Sequence, residues 1–104
     1  MAVYFASNLT STTATISPPV AGKRIRIRRL IVSTSVNGGI EFKQDIGGSS
    51  EAIVLPQLEA RSTGPALNLA FARELPQTAP GLALGYESAI AGQHGVWVEY
   101  DVVD

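Results

Sequence analysis

The sequence predicts an all-β fold: a single-domain β-sandwich of jelly-roll or Greek-key type with about seven or eight antiparallel strands. Turn-forming residues recur at short intervals, and the segments between them alternate between apolar and polar residues. No segment keeps helical periodicity for the length of a helix before a proline or glycine interrupts it. The chain of 104 residues is long enough to form one hydrophobic core without a disulfide or metal.

The predicted strands are the apolar runs that lie between turn signals. Pro18-Pro19, Gly47-Gly48 and Gly64-Pro65 are such signals. Asn37-Gly38 is a hairpin signal, so we expect the strands on either side of it to form a hairpin. The strands are predicted at 9–16, 23–36, 40–46, 52–55, 66–72, 82–90 and 96–103.

The second predicted strand changes phase in its middle. Ile25 and Ile27 occupy odd positions, whereas Leu30 and Val32 occupy even ones. A bulge near Arg28-Arg29 keeps both apolar pairs on the same face, because it inserts one extra residue into the strand. We therefore predict a bulge there.

The ends of the chain suggest a division into two parts. Residues 1–9 are predicted to form an apolar N-terminal arm, and residues 10–104 the β-sandwich domain. The arm lacks the basic start and long apolar stretch of a signal peptide. No apolar run approaches the roughly 18 residues of a membrane span. We therefore expect a protein that is made in a cytoplasm and has no membrane partner.

The charge content is low for a free monomer. Only 16% of residues are charged, against about 25% in an average soluble domain, and the net charge is −1. Low charge favours a protein whose surface is partly covered by copies of itself or by a partner. The alternative is a small domain whose surface is rich in Ser, Thr, Gly and Ala. The absence of cysteine excludes disulfides, thiolate chemistry and cysteine-based zinc sites.

No constellation of residues predicts catalysis. His94 is the single histidine, and its glycine-flanked position predicts an exposed turn residue. Gly-x-Ser-x-Gly and the phosphate-binding glycine motifs are absent. Glu99 and Asp101 share a strand face, where a glycosidase pair or a calcium site is conceivable, but we expect a solvated strand. The sequence therefore predicts a protein that is not an enzyme and has no metal or cofactor.

A cationic run leaves three interpretations open. Five of the seven residues from Lys23 to Arg29 are basic, and Arg24, Arg26 and Arg28 share one face. Such a strand can bind phosphates, but nucleic-acid binding is not expected because isoleucines, not aromatic residues, lie between the arginines. The other interpretations are a solvent-facing strand protected by charge, and a stripe that pairs with acidic residues of a neighbouring subunit. The acidic candidates are Glu41, Glu87 and Glu99.

The single tryptophan is predicted on an outward face. Alternation places Trp97 opposite Val96 and Val98, beside Glu99. An outward tryptophan can stack on a sugar ring, as in lectins, or anchor a protein interface. The carbohydrate interpretation is weaker because the same segment offers no aromatic partner for it. A second buried layer is the third possibility.

The order of several segments resembles a known class of viral protein. A stretch at Gly22–Ile27 leads to Leu30–Ser35 and, after a turn, to Gly39–Lys43; Pro80–Leu84 and Val96–Val103 follow late in the chain. This order resembles small tailed-phage virion proteins with a jelly-roll fold, namely capsid decoration or cement proteins and the base domains of head fibres.

The resemblance, which runs from about Thr10 to Val103, implies a structural role. It implies an oligomer, typically a trimer, that binds the major capsid protein on the outer surface of the virion after synthesis in the host bacterium. The chain stops directly after its last predicted strand, which favours decoration over a fibre.

On this interpretation the arginines bridge to acidic residues of the shell, and the aromatic residues are apolar anchors. The alternative function is a carbohydrate-binding or other virion adhesion module. The candidate partner-binding residues are Tyr4, Phe5, Arg24, Arg26, Arg28, Trp97 and Glu99.

Overall fold

The chain forms eight strands and no helix, and seven of the strands lie where the sequence alternates between apolar and polar residues. The structure is a computed structural model that describes residues 1–104. The predicted all-β sandwich is confirmed. The strands are β1 Ala2–Asn8, β2 Thr12–Ser17, β3 Arg24–Thr34, β4 Gly38–Gln44, β5 Ala52–Ala60, β6 Leu67–Ala70, β7 Leu84–Ser88 and β8 His94–Val103.

The strands form two four-stranded antiparallel sheets. The first sheet has the order β1-β8-β3-β6 and the second has the order β2-β7-β4-β5. β1 therefore pairs with β8, β2 with β7, β3 with β6 and β4 with β5, as in one long hairpin folded over on itself. This is the jelly-roll arrangement of two Greek keys. The chain contains no helix long and apolar enough to cross a membrane.

The connection at Asn37-Gly38 is not a hairpin, so that expectation was wrong. β3 and β4 lie in different sheets, and the chain crosses between the sheets at this point. A Cβ atom on Gly38 would lie 2.9 Å from Ile90, so close packing requires the glycine. The Asn37 Oδ1 accepts a hydrogen bond of 2.8 Å from the Ser62 backbone N–H. The dipeptide therefore ties two crossing connections together. The one hairpin of consecutive strands is β4–β5.

The predicted N-terminal arm is strand β1 of the first sheet. All seven of its residues pair with β8, from Ala2 opposite Tyr100 to Asn8 opposite His94. Exposure alternates along β1, and Val3 and Phe5 point outward, with 47% and 62% of their surface exposed. The sequence pattern did not predict this strand, because apolar residues occupy both of its faces and no alternation is visible.

The core lies between the two sheets. Thirteen buried hydrophobic residues form one cluster, to which both sheets contribute. Its largest members are Phe42 and Tyr86, on neighbouring strands of the second sheet, whose ring centroids lie 6.0 Å apart. From the first sheet, Ile25, Ile27 and Leu30 are completely buried.

The bulge predicted near Arg28-Arg29 is confirmed. The pairing of β3 with β8 shifts between Ile27, opposite Tyr100, and Arg29, opposite Glu99. Arg28 is therefore the extra residue. Because of this extra residue, the strand faces the core with its odd positions before the bulge and with its even positions after it.

The bulge also lies where β3 changes partner on its other side. Before the bulge, Ile27 N–H donates to the Pro76 carbonyl at 2.8 Å, and Thr78 N–H donates to the Ile25 carbonyl at 3.0 Å. After the bulge, β3 pairs with β6. At the junction, the Phe71 N–H donates to the Arg28 carbonyl at 2.9 Å. A loop segment thus completes the sheet where β6 is too short to do so.

Deleting Arg28 should lower the stability of the fold far less than deleting Arg26. Without Arg28, β3 becomes a regular strand in which Ile25, Ile27 and Leu30 still face the core. Without Arg26, Ile25 turns outward and Arg24 moves to an inward position. Removing a buried isoleucine side chain costs about 2–5 kcal/mol. The Arg26 deletion should therefore lower the free energy of unfolding by at least about 2 kcal/mol. Urea unfolding monitored by tryptophan fluorescence measures both losses, and equal losses for the two deletions would contradict the assigned role of the bulge.

Candidate interaction surface

An exposed apolar patch lies on the outward face of the first sheet. The pairing places Phe5 opposite Trp97 and Trp97 opposite Ile31, so the three side chains form a row across β1, β8 and β3. Val3 lies two residues before Phe5 on the same face of β1. We call Val3, Phe5, Ile31 and Trp97 the apolar patch. Phe5 and Trp97 lie in contact range, with ring centroids 6.2 Å apart and planes tilted by 56°.

The polar atom of Trp97 is already bonded. Its indole N–H donates a hydrogen bond of 3.0 Å to the Glu99 carboxylate, two residues along the same strand face. Trp97 is 37% exposed. What the ring offers to a partner is therefore apolar surface, and Glu99 holds the ring in position.

Arg28 is paired within the chain. It forms an ion pair with Asp101, which also lies 3.5 Å from the N-terminal amino group of Met1. The Arg28 guanidinium, and to a lesser degree the amino terminus, lower the pKa of Asp101 below its ordinary value. Half of the Arg28 side chain stays exposed. The charge of Arg28 is therefore mostly compensated before any partner binds.

Three further arginines of β3 keep an uncompensated charge. Arg24 donates to the Thr78 carbonyl at 3.4 Å, and Arg26 donates to the Gln77 side-chain oxygen at 3.2 Å. Arg29 is exposed and lies opposite Glu99 in the sheet. None of the three forms an ion pair. The outward face of the first sheet thus combines an apolar patch with cations that can pair with carboxylates of a partner.

Tyr4 does not belong to this face. It points between the sheets, where its hydroxyl lies 3.1 Å from the Tyr86 hydroxyl and its ring meets the Tyr86 ring edge-on. Burial, together with the hydrogen bond to Tyr86, raises the pKa of Tyr4 well above its ordinary value. Of the seven candidate residues, Tyr4 is the one that the structure places in the interior, and the other six lie along the strands of the outward face.

His94 is buried, so the expectation of an exposed turn residue was wrong. Only 2% of its surface is exposed. Its Nδ1 lies 2.8 Å from the Gly92 carbonyl oxygen, which only accepts hydrogen bonds, so Nδ1 carries the proton. Nε2 then accepts hydrogen bonds from the Ser88 hydroxyl at 2.9 Å and the Asn8 amide at 3.4 Å.

The pair of Ser88 and His94 belongs to a polar cluster that joins the two sheets. Asn8 also donates to the Tyr86 hydroxyl at 3.0 Å, and the Ser88 hydroxyl accepts from the Ile90 N–H at 3.2 Å. No buried side-chain nitrogen or oxygen lacks a partner. Since Ser88 is 6% exposed and its hydroxyl is fully engaged, the chemistry this geometry supports is hydrogen bonding between sheets.

Acidic residues on the second sheet lie on the opposite side of the molecule. Glu41 and Glu87 are opposite one another on β4 and β7, and Glu87 pairs with Lys43 at 2.7 Å. They line a groove of about 270 Å³ together with Thr13 and Gln57. No three His, Asp or Glu side chains are placed to hold a metal ion. Of the acidic candidates for pairing with the arginines, only Glu99 shares their face.

Sequence reasoning missed Arg29 and Ile31 as members of the outward face. The predicted bulge already implies that Arg29 points outward, since it precedes the inward Leu30. Ile31 is different, because its place beside Trp97 depends on the pairing of β3 with β8. No local pattern reveals that pairing.

No protein-family model matches the chain, and no curated protein matches it in sequence.

The ion pair of Arg28 with Asp101 should be visible in a titration. In Arg28→Gln the pKa of Asp101 should rise towards its ordinary value, whereas the matched change Arg29→Gln should leave it low. Because the folded-state pKa is depressed, the pair stabilises the fold above the ordinary carboxyl pKa, and this contribution disappears as pH falls through the depressed value. Carbon-detected NMR of the Asp101 carboxyl measures the shift, and an unchanged pKa in Arg28→Gln would refute the assignment.

The polar cluster between the sheets should contribute to stability through Asn8. Asn8→Leu removes both of its donated hydrogen bonds, so the free energy of unfolding should fall by about 1–3 kcal/mol. The matched control is Asn68→Leu, at an exposed position of β6, which should change stability by no more than about 0.5 kcal/mol. Urea unfolding of the two variants compares them directly, and similar small effects would mean that the cluster is not stabilising.

Proposed function

We propose that this protein is a structural virion protein that binds the outer surface of a phage capsid through the outward face of its first sheet and so stabilises the shell. The observation that carries the proposal is the apolar patch, which shares the outward face with three arginines that form no ion pair. The resemblance to jelly-roll decoration proteins supplies the biological context.

The composition of this face fits a protein interface. Interfaces typically have an apolar centre with aromatic residues and a polar rim, and tryptophan and arginine are the residues most often critical for binding. Here Trp97 and Ile31 lie on the two central strands, Phe5 lies beside Trp97 on the edge strand, and Arg26 and Arg29 lie towards one end. The partner surface that fits such a face is apolar with carboxylates along one border.

The fold alone does not distinguish between functions. Jelly rolls occur in viral capsid domains and in lectins, and the surface of each protein determines which partner it binds. Phe5 gives Trp97 the aromatic neighbour that its own segment lacks, which favours the carbohydrate-binding alternative to some extent. The 56° tilt between the rings, however, prevents them from forming one flat platform for a sugar.

Shell stabilisation requires only modest affinity per copy. A decoration protein contacts several capsid subunits, and many copies act together, so each contact adds buried area across the seams between subunits. The flat face of a four-stranded sheet suits such a role better than a pocket would. The carboxylates on the second sheet then remain on the solvent side.

Binding to capsids assembled without this protein tests the proposal. Phe5→Ala and Trp97→Ala should each weaken binding at least about tenfold, the effect of losing roughly 1.4 kcal/mol at an interface anchor. Ile53→Ala is the matched control, since Ile53 is 57% exposed on the second sheet and should bind as the unchanged protein does. Co-sedimentation with capsids at increasing protein concentration measures the affinity.

Two results would overturn this proposal. One is a failure of the unchanged protein to bind capsids, and the other is an equal loss of binding in Ile53→Ala. A glycan array probed with the same variants separates the alternative function: binding to a glycan that Trp97→Ala and Phe5→Ala both abolish would favour the carbohydrate-binding module.

A further inference from the structure

The two sheets have four edge strands, and three of them carry features that block further pairing. β6 has only four residues. β2 contains a register shift between Thr15 and Ser17 and is followed directly by Pro18 and Pro19. β5 contains Pro56 and pairs irregularly with β4. Short edges, bulges and prolines are the usual protections against edge-to-edge pairing.

The fourth edge, β1, has none of these protections. Its seven residues, Ala2–Asn8, include no charge, proline or glycine. Its pairing with β8 is regular from end to end, so the strand is not distorted. The N-terminal amino group, which directly precedes the strand, is paired with Asp101 at 3.5 Å. β1 thus offers a long, flat and neutral edge.

The free side of β1 is also not covered by another part of the chain. β1 pairs with β8 alone, and none of the ten backbone hydrogen bonds outside the paired strands involves residues 2–8. In a strand paired on one side, alternate backbone N–H and C=O groups point away from the sheet. Those of β1 therefore have no partner within the protein.

We propose that β1 pairs antiparallel with β1 of a second copy, which joins two first sheets into one continuous eight-stranded sheet. The occupant is a second copy because the strand is complementary to itself. An uncharged strand meets no like charge when it pairs with its own copy. Backbone hydrogen bonds supply the attraction, as in strand addition to exposed sheet edges.

The side chains of β1 are compatible with this symmetry. In a two-fold antiparallel pair, opposite residues must point to the same face, so odd positions face odd positions. Two of the registers that meet this condition place Phe5 opposite the partner's Phe5, or Val3 opposite the partner's Phe5. Both registers place apolar outward residues next to each other and make the two apolar patches contiguous across the axis.

The symmetry differs from the trimer that the resemblance implies. Antiparallel pairing of a strand with its own copy is an isologous contact and closes at two subunits. The pairing does not depend on the proposed capsid role, because it concerns the isolated protein. A dimer formed in this way would present two patches on one flat surface, and such bivalency strengthens binding to any repetitive partner.

Sedimentation equilibrium and light scattering over a range of concentrations test the pairing. The unchanged protein should form a dimer. The double variant Val3→Lys with Phe5→Lys places like charges across the axis and should weaken the dimer at least about tenfold. Val3 lies opposite Glu99 in the sheet, so the new lysine there has a partner within its own chain. Asn68→Lys, on the β6 edge of the same sheet, is the matched control and should leave the dimer intact.

A further variant and a backbone measurement exclude other contacts. Arg29→Glu lies on the outward face away from the β1 edge and should leave the dimer intact, whereas loss of the dimer in this variant would indicate face-to-face contact. Alternate amides of β1 should exchange hydrogen for deuterium more slowly at high protein concentration. A monomer at all concentrations, a trimer, or a dimer that survives the double lysine variant would each overturn the proposal.

Discussion

The bulge at Arg28 determines how the central strand of the first sheet can serve both the core and the surface. β3 lies between β8 and β6, and its apolar residues change parity in the middle. With one extra residue, Ile27 and Leu30 both point inward, so Arg28 and Arg29 both point outward. The same insertion lies where β3 exchanges the 76–78 segment for β6 as its partner. The cationic border of the apolar patch is therefore a direct consequence of how the core is filled.

Features that depend on neighbours along the chain were predictable from the sequence. Alternation located seven of the eight strands approximately, and the parity change located the bulge, because both are set by the two-residue repeat of a strand. Strand β1 was missed since apolar residues on both faces hide its alternation. It was the pairing between strands that could not be predicted. Phe5 lies near the start of the chain and Trp97 near its end, and no local pattern specifies that β1 pairs with β8 in the register that places them opposite each other.

The errors at Asn37-Gly38 and His94 have the same origin. In a jelly roll nearly every connection crosses between sheets, so a dipeptide that favours a tight turn does not imply that its flanking strands pair. The glycines near His94 favour an exposed turn, but β8 begins at His94, opposite Asn8 of β1. The polar cluster with Tyr86 and Ser88 then satisfies the buried imidazole. Turn chemistry describes the local backbone, while topology decides what the turn is packed against.

The two sheets differ in the features that favour association. In the second sheet, Lys43 is paired with Glu51 and Glu87, and both edges are irregular or interrupted by proline. Its one lysine is thus compensated within the chain, and its edges resist extension. The first sheet has an apolar patch, unpaired arginines and the unprotected edge β1, and the face and the edge meet at Phe5. A contact made by the face and a contact made by the edge would therefore share a border. A dimer formed through the edge would present two copies of the face, so a repetitive partner that binds both would strengthen the two contacts together.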